Sequence, residues 1–395
     1  MNVLFVHYGE DRLAGSEIAL LELMKCLRTK DVSPVLWCNA NAMRAAAERL
    51  GIPTHQDRFE FYFDYSSPAF SVTQYVRQAR RGAALIAETE AKLVHCNSAA
   101  PVQWMLPAAW RHRAPLVAYI HGAYLRRSRY VLGLHEADRI VAVSSAVAAP
   151  FLDDGIAADR VDVVPNGFDF ETLGAGDRKS LRAELGIPGD AVVAAIIGSL
   201  IHLKGHDILF NALRRMVLPP NFHLLVLGDG PERARIESEA EGLPVHFLGY
   251  RSDVGAILRD NVDFIVVPSR AEAFGRVIIE AGAFGVPAIG TRVGGISEAI
   301  ADNLTGLIVP PEAPGDLALA ISRMIESRSL RTDLGAAAKV RATTFEINTS
   351  AARMLTNYQL AIEACDKGGR GRVLSRSHLR PYLNLVFPKS TSRPS

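Results

Sequence analysis

The chain of 395 residues is 49% hydrophobic and 22% charged, which is typical of a globular protein with a large interior, and its length favours two domains. Its 44 lysines and arginines nearly match its 42 acidic residues, so the composition excludes a surface that binds nucleic acid throughout. The four cysteines are scattered without a C-x-x-C pair, so neither a disulfide framework nor a zinc motif is indicated and a reducing cytoplasm is expected.

The N-terminal stretch MNVLFVHYGEDRLAG turns acidic after a short apolar run and lacks the basic start of a signal peptide. No apolar run approaches the roughly 20 residues that a membrane-spanning helix needs. We therefore expect a cytoplasmic protein.

Short apolar runs typical of buried strands alternate with helical patterns along the first half of the chain. The strand candidates are VLFVH (3–7), PVLWC (34–38), KLVHC (92–96), PLVAYI (115–120), RIVAVS (139–144) and RVDVVP (160–165). Between them lie segments such as SEIALLELMKCLRT (16–29), with apolar residues three and four apart. This alternation predicts a parallel sheet covered by helices on both faces.

The pattern starts again after a seam over 171–190, and residues 315–365 have a helical pattern throughout. The second set of strand candidates is AVVAAIIG (191–198), FHLLVLG (222–228), VHFLG (245–249), DFIVVPS (263–269), VPAIGT (286–291) and TGLIVP (305–310). The sequence therefore predicts an α/β protein of two doubly wound, Rossmann-like domains facing across a cleft. Ligands are expected at the carboxyl ends of the strands.

The segment SRAEAFGRVIIEAGAFGVPAI (269–289) has an acidic residue on each side of a predicted helix start. We expect the helix to begin near Phe274, with the backbone N–H groups of Phe274, Gly275 and Arg276 free to bind a phosphate. Glu272 precedes this anion site and Glu280 follows it.

Eight helical residues would span about 12 Å, which matches a nucleoside diphospho-sugar from sugar ring to ribose. One carboxylate could accept hydrogen bonds from the sugar hydroxyls and the other from the ribose, with the diphosphate on the amides between them. The same spacing is also what two solvated acids on a helix surface would give.

The run EAFGRVIIEAGAFGVP resembles the signature of the retaining glycosyltransferases of family 4, which have the two-domain GT-B fold. The resemblance covers roughly residues 1–365. It implies that Glu272 lies beside the donor sugar and that Glu280 holds the ribose. It also implies an N-terminal acceptor-side domain over 1–172, a donor domain over 173–350, and a helix over 351–365 that packs back on the first domain.

GSLIHLKGHDILFNAL (198–213) is similar to the family's donor-phosphate segment, in which an arginine follows the first glycine and a Lys-Gly pair opens a helix. Gly198, Lys204 and Gly205 match this pattern. Ser199 stands where the family usually has the arginine, so one of two cations expected on the diphosphate is missing.

Three further stretches of the second half resemble family loops. FLGYRSDV (247–254) is similar to the loop that lines the base through backbone groups, which implies contacts from Gly249, Tyr250 and Arg251. VLGDGP (226–231) is as consistent with a plain turn as with a ligand contact. VGGISEAI (293–300) has Glu298 at a predicted helix start.

In the first half, RLAGSEIAL (12–20) resembles a glycine-rich loop after the first strand, usually Gly-Gly-x-Glu, in which Gly15 is the second glycine and Ala14 replaces the first. Such a loop lets the backbone approach the donor phosphate and the acceptor. His121 ends a strand where the family often has a histidine near the reacting sugar. VVPNGFD (163–169) matches a turn that closes the first domain. His7 and His95 are interpreted as core or strand-end histidines.

The resemblance implies a retaining transferase that moves a sugar from a UDP- or GDP-sugar to a hydroxyl of a glycan or lipid-linked acceptor, in cell-envelope or exported polysaccharide assembly. The catalytic candidates are Glu272, His121 and Lys204; no cofactor, metal or nucleic acid is expected. Two alternatives remain open, a non-catalytic nucleotide-sugar-binding protein and a sugar-nucleotide 2-epimerase. A dinucleotide-dependent oxidoreductase is disfavoured because no G-x-G-x-x-G follows the first strand.

Basic charge is concentrated at the C-terminus, where seven basic and no acidic residues follow Asp366; the first 366 residues hold 37 basic and 42 acidic ones. We interpret 366–395 as a disordered tail in which LRPYLNLVFPK (379–389) could contact an anionic membrane. Arginine clusters at 77–81 and 126–129 are interpreted as solvated faces or as a surface for an anionic acceptor.

Overall fold

A computed structural model of the chain describes residues 1–59, 71–174 and 181–367. The chain divides into two compact units. Unit 1 comprises Met1–Gly167 and the C-terminal segment from Ile347, and unit 2 comprises Phe168–Glu346. Each unit is built around one parallel β-sheet.

The sheet of unit 1 has seven parallel strands in the order β3-β2-β1-β4-β5-β6-β7. These are β1 (Asn2–His7), β2 (Ser33–Cys38), β3 (Thr54–Gln56), β4 (Leu93–Asn97), β5 (Leu116–Ile120), β6 (Arg139–Ala142) and β7 (Val161–Val163). The helices of unit 1 are α1 (Gly15–Arg28), α2 (Asn41–Arg49), α3 (Val72–Glu88), α4 (Val102–His112), α5 (Arg126–Val131), α6 (Ser145–Asp153) and the C-terminal helix (Ile347–Lys367), numbered α16 below.

The sheet of unit 2 has six parallel strands in the order β10-β9-β8-β11-β12-β13. These are β8 (Val192–Ile197), β9 (Phe222–Leu227), β10 (Val245–Gly249), β11 (Phe264–Val267), β12 (Ala288–Thr291) and β13 (Gly306–Val309). Its helices are α7 (Phe170–Leu173), α8 (Leu181–Glu184), α9 (His206–Arg214), α10 (Arg233–Glu239), α11 (Val254–Asn261), α12 (Arg276–Ala283), α13 (Ile296–Ala299), α14 (Pro314–Glu326) and α15 (Arg328–Ala342).

The predicted class, two doubly wound Rossmann-like α/β domains, is confirmed. Every strand candidate is a strand, with ends within two residues of the prediction. The short strand β3 was not predicted, because three residues are too few to show a pattern. The predicted helical region 315–365 consists of three helices, with breaks at Ser327 and at the 3-10 turn Thr343–Phe345. Among the described residues, no helix is both long and apolar enough to cross a bilayer.

Unit 2 begins at Phe168, slightly before the boundary expected at 172/173. The reason is that Phe168 is buried among residues of unit 2: its N–H donates to the Phe345 carbonyl at 2.9 Å, and its ring stacks 6.4 Å from the ring of Phe274. At the other end, the chain leaves unit 2 at Ile347 rather than at 351. The predicted tail lies outside the described residues, apart from its first two positions.

The C-terminal helix α16 packs against α1, β5 and β6 of unit 1. Buried polar contacts fix it there. The guanidinium of Arg139 donates to Oδ1 of Asn357 at 3.0 and 2.7 Å, and the hydroxyl of Tyr358 lies 2.8 Å from Nδ1 of His95. Burial, with a smaller effect of nearby His121, lowers the pKa of His95 to about 3, so His95 is neutral at pH 7 and its Nδ1 shares one hydrogen bond with the tyrosine hydroxyl.

Tyr358→Phe should lower the free energy of unfolding of unit 1 by about 1–3 kcal/mol, because it leaves Nδ1 of the fully buried His95 without its hydrogen-bond partner. Urea unfolding followed by tryptophan fluorescence measures this, since Trp37, Trp104 and Trp110 all lie in unit 1. Tyr250→Phe is the matched control, because the side chain of Tyr250 is exposed and the change should stay within about 0.5 kcal/mol. Equal effects of the two substitutions would contradict the prediction.

Candidate functional site

The candidate residues of unit 2 lie at the point where its strand order reverses. Strand β8 is the first strand of the unit and has β9 on one side and β11 on the other. Ligands of doubly wound sheets bind beside the carboxyl ends of the strands at such a point. The loops that follow β8 and β11 therefore border the expected ligand position.

These two loops are in direct backbone contact. Gly205 ends the β8 loop in the left-handed region, with a φ of 70°, and a Cβ atom on it would lie 2.1 Å from the carbonyl oxygen of Pro268 in the β11 loop. The N–H of Arg270 donates to the carbonyl of Leu203 at 2.8 Å. Only glycine fits at position 205, so the match of Gly205 to the family pattern has a steric reason.

The side chain of Arg270 holds the same two loops together. Its guanidinium donates to both carboxylate oxygens of Asp207, at 2.8 and 2.7 Å, and to the carbonyl of His202 at 2.8 Å. The hydrogen bonds to Asp207 raise the pKa of Arg270 above its ordinary value. Arg270 was not predicted, because an arginine one residue after a strand end has no distinctive sequence pattern.

Lys204 and Glu272 form an ion pair across the loop contact. The Nζ of Lys204 lies 2.6 Å from Oε2 of Glu272, and the two side chains are 27% and 16% exposed. The structure thus brings together two residues that the sequence placed at different parts of a ligand. The pair offers a cation and a carboxylate side by side at the end of β8 and β11.

A glycine turn after β12 supports the backbone of Glu272 from the other side. The N–H of Gly295 donates to the carbonyl of Glu272 at 3.0 Å. Gly294 has a φ of 47°, and a Cβ atom there would lie 1.8 Å from that same carbonyl oxygen. The VGGISEAI segment therefore packs against the loop that carries Glu272, and Glu298 lies in the short helix α13 that follows.

The helix after Glu272 begins later than predicted. Helix α12 starts at Arg276 with Gly275 as its N-cap, and Phe274 is buried before it, in contact with the ring of Phe345 at 5.6 Å. Phe274 and Gly275 therefore do not belong to the first turn. The loop conformation arises because the ring of Phe274 packs into unit 2. Glu272 is not helical either, so the estimate of about 12 Å for a continuous helix does not apply.

Glu280 faces Arg276 one turn along α12. The Nε of Arg276 lies 3.4 Å from Oε1 of Glu280, and the guanidinium stacks over the ring of Phe168 at 4.3 Å. Both side chains of the pair are largely buried. The second carboxylate of the predicted pair thus has its own cation, as Glu272 has Lys204.

The remaining donor candidates lie at neighbouring strand ends. Gly198 and Ser199 directly follow β8, and the loop from Ser199 is bound through the Leu200 N–H to the carbonyl of Asp229 at 3.0 Å. The VLGDGP segment is therefore part of the loop framework. At the end of β10, Gly249 is followed by the exposed Tyr250 and by Arg251, whose guanidinium binds both carboxylate oxygens of Asp253.

In unit 1, Gly15 is the first residue of α1, and His121 directly follows β5. His95 is a fully buried core residue, as expected. His7 ends β1 and is buried, but its ring also bonds to Glu17 and Asn97, and Asn97 bonds to His121. Asn97 and Glu17 were missed. The available signals were the position of Asn97 at the end of a predicted strand and the match of Glu17 to the glutamate of the Gly-Gly-x-Glu pattern.

Within residues 1–59, 71–174 and 181–367, no three side chains of His, Cys, Asp or Glu are grouped so that they could hold a metal ion. The candidate site of unit 2 contains two ion pairs, Lys204–Glu272 and Arg276–Glu280.

Two family models match the chain in succession. The model described as glycosyltransferase family 4 matches residues 13–172, and the model described as glycosyl transferases group 1 matches residues 177–341.

Curated relatives include D-inositol 3-phosphate glycosyltransferases. The protein of that name from Segniliparus rotundus is 33% identical over 58% of this chain and 53% of its own length. The one from Nocardia farcinica is 36% identical over 58% of this chain and 53% of its own length. The match with this chain thus spans about half the length of these relatives.

Solved structures share the fold along nearly the whole chain. HepE of Anabaena, solved in complex with UDP, is 23% identical with a TM-score of 0.77, covering 91% of this chain and 100% of that one. Sucrose-phosphate synthase from Thermosynechococcus elongatus is 21% identical with a TM-score of 0.74, covering 92% and 99%. The chain therefore carries a glycosyltransferase family 4 domain followed by a glycosyl transferases group 1 domain, and it shares the GT-B fold of these solved structures.

Proposed function

We propose that this protein transfers a sugar from a nucleoside diphospho-sugar to a hydroxyl acceptor with retention of configuration. The observation that carries the proposal is the Lys204–Glu272 ion pair, held at the strand-order reversal of unit 2 by the Gly205–Pro268 contact. A cation for the diphosphate and a carboxylate for sugar hydroxyls are thereby adjacent on a rigid base.

The roles of the two pairs follow from their chemistry. Lysine carries three N–H donors, so Lys204 can bind a diphosphate oxygen while it still contacts Glu272. Glu272 has a second carboxylate oxygen that can accept from a sugar hydroxyl. Glu280 would accept from the ribose, with Arg276 and the first-turn amides of α12 as further positive groups. Gly249, Tyr250 and Arg251 would line the base.

In the proposed reaction the anomeric C–O bond to the β-phosphate breaks and the acceptor oxygen bonds to the same face of that carbon. The leaving diphosphate takes the proton of the acceptor hydroxyl. Lys204 stabilises the negative charge that develops on the diphosphate, which is the electrostatic part of the catalysis, and no metal is assigned to this step. His121, in unit 1, is proposed to contact a hydroxyl of the sugar.

The neighbouring solved structures with UDP make uridine nucleotides the first donors to test, and the names of the curated relatives add D-inositol 3-phosphate to the acceptors. We infer that the acceptor is a glycan or a lipid-linked hydroxyl compound in cell-envelope or exported polysaccharide synthesis. The seven basic residues after Asp366 would suit contact with an anionic membrane on the cytoplasmic side.

Incubation with radiolabelled UDP- and GDP-sugars and an acceptor panel tests the proposal. A glycosylated product whose anomeric configuration by NMR equals that of the donor supports it. A donor converted to its 2-epimer would instead identify an epimerase, and binding without turnover a nucleotide-sugar-binding protein.

Lys204→Met should weaken UDP binding and reduce kcat/KM at least about 10-fold, because it removes the cation from the diphosphate site. Glu272→Gln should reduce kcat but leave UDP affinity equal or tighter, because Lys204 loses its competing carboxylate. Calorimetry with UDP and initial rates with the donor measure the two effects.

Lys339→Met and Glu241→Gln are the matched controls, since both side chains are exposed elsewhere on unit 2. If Lys204→Met leaves UDP affinity at the wild-type value, the phosphate site lies elsewhere.

Glu280→Gln should weaken the binding of UDP but not of inorganic pyrophosphate, because the proposed partner of Glu280 is the ribose. The comparison is needed because the substitution also removes the carboxylate beside Arg276. Parallel titrations of one protein sample with both ligands distinguish the two effects. Equal tightening of UDP and pyrophosphate binding would show that Glu280 acts only on the charge of Arg276 and does not contact the ribose.

Ser199→Arg should tighten UDP binding by about 10-fold at low salt and by less at high salt, since it adds a guanidinium beside the diphosphate. Ser199→Gln controls for side-chain length without charge. Weaker UDP binding by the arginine variant at every salt concentration would show that the position has no room for a second cation.

A further inference from the structure

Four polar side chains of unit 1 form one continuous chain of hydrogen bonds. Oε1 of Glu17 lies 2.9 Å from Nε2 of His7, and Nδ1 of His7 lies 3.1 Å from Nδ2 of Asn97. Oδ1 of Asn97 lies 2.8 Å from Nε2 of His121. The members come from α1 and from the ends of β1, β4 and β5, so the chain crosses the point where the strand order of unit 1 reverses.

The chain runs from the interior toward the surface. Glu17, His7 and Asn97 are 5%, 1% and 0% exposed, whereas His121 is only partly buried. Gly9 closes over the inner end: a Cβ atom on it would lie 2.6 Å from Oε1 of Glu17 and 2.7 Å from Nε2 of His7. Buried polar groups of this kind must be paired, and here each bond constrains the next.

Glu17, at the buried end of the chain, determines which atom donates and which accepts in the hydrogen bond to His7. Burial raises the pKa of Glu17, but the hydrogen bonds that the carboxylate accepts from His7 and from the Ser16 hydroxyl outweigh it and keep that pKa below its ordinary value. Glu17 is therefore an anion that only accepts, from the Ala14 N–H at 3.2 Å, from the Ser16 hydroxyl at 2.9 Å and from Nε2–H of His7.

The side-chain amide of Asn97 then determines which atom donates in the hydrogen bond to His121. A neutral His7 that donates from Nε2 has its lone pair on Nδ1, so Nδ1 accepts from the Nδ2 amide group of Asn97 at 3.1 Å and does not donate to the Asn97 backbone carbonyl 3.3 Å away. With Nδ2 of Asn97 donating to His7, its Oδ1 must accept from His121. Nε2 of His121 therefore carries a proton.

We propose that Glu17, His7 and Asn97 are positioning residues that hold His121 in the Nε2–H tautomer, so that its Nδ1 is a hydrogen-bond acceptor for a sugar hydroxyl. The tautomer follows from unit 1 alone. The sugar hydroxyl as its partner rests on the proposed function. A carboxylate at one end of the chain thus sets which atom of a distant histidine can accept a proton from a ligand.

Glu17→Gln tests the direction without removing the side chain. The Ala14 N–H and the Ser16 hydroxyl should select the new amide oxygen, which leaves the NH2 group facing His7. His7 would then accept on Nε2, the amide of Asn97 would rotate, and His121 would shift toward the Nδ1–H tautomer. Glu48→Gln on α2 makes the same chemical change at an exposed site.

The tautomers are read from ring ¹H–¹⁵N correlation spectra of protein labelled with ¹⁵N-histidine, with the His121 signals identified by their loss in His121→Asn. We expect Nε2–H at His121 in the wild type and in Glu48→Gln, and a mixture or the reverse in Glu17→Gln. The proposal is overturned if Glu17→Gln leaves the tautomer unchanged, if the wild type is Nδ1–H, or if both nitrogens of His7 carry protons.

Two further variants cover the case in which Glu17→Gln does not fold. Asn97→Leu removes the amide between the two histidines, and Gly9→Ala displaces the His7–Glu17 pair. Either should turn the single tautomer of His121 into a mixture, and a retained single Nε2–H form in both would also overturn the proposal.

Kinetics separates this inference from the proposed function. Glu17→Gln should lower kcat/KM for the sugar donor about 10-fold and leave the affinity for UDP alone unchanged, because UDP is assigned to unit 2. If the wild type transfers no sugar, the proposed function fails while the spectra still decide the tautomer. If sugar transfer is found but the tautomer does not respond, only the inference fails.

Discussion

The contact of Gly205 with the Pro268 carbonyl is the constraint on which the candidate site of unit 2 depends. It brings the loop after β8 against the loop after β11, and Arg270 holds both through Asp207 and His202. Lys204 and Glu272 meet because their backbones are already fixed by this contact. The ion pair is therefore a consequence of the loop packing, and its own strength need not be large.

Unit 1 holds its strand ends together by a different kind of contact. Where unit 2 joins its loops by backbone contact and arginine, unit 1 joins three strand ends by neutral and acidic side chains that run from Glu17 to His121. In both units several functional candidates lie where the strand order reverses, because the loops of adjacent strands diverge there and leave room for a ligand. His121 and Gly249 lie at the ends of strands farther from that point.

The sequence predicts the strands well because each is a continuous apolar run bounded by polar residues, and the family motif identifies Glu272, Glu280 and Lys204. It does not predict that Lys204 and Glu272 bind each other, because that depends on the packing of two loops far apart in the chain. It places the start of α12 too early because the ring of Phe274 is drawn into the core, which no local pattern reveals. His7 looked like a strand-end histidine, and only the structure shows that its ring is bonded on both sides.

The turn at Gly294 and Gly295 has a consequence for how this protein can vary. The carbonyl of Glu272 is enclosed by that turn so closely that no side chain larger than hydrogen fits at position 294. In a survey of tolerated substitutions, Gly294 and Gly205 should be as intolerant as the charged residues, although neither has a side chain to touch a substrate. Intolerance to substitution would then identify both the residues that bind a ligand and the glycines that hold their loops in place. Changes of donor preference would then have to come from side chains on these loops, because the backbone contacts at Gly205 and Gly294 determine how the loops pack.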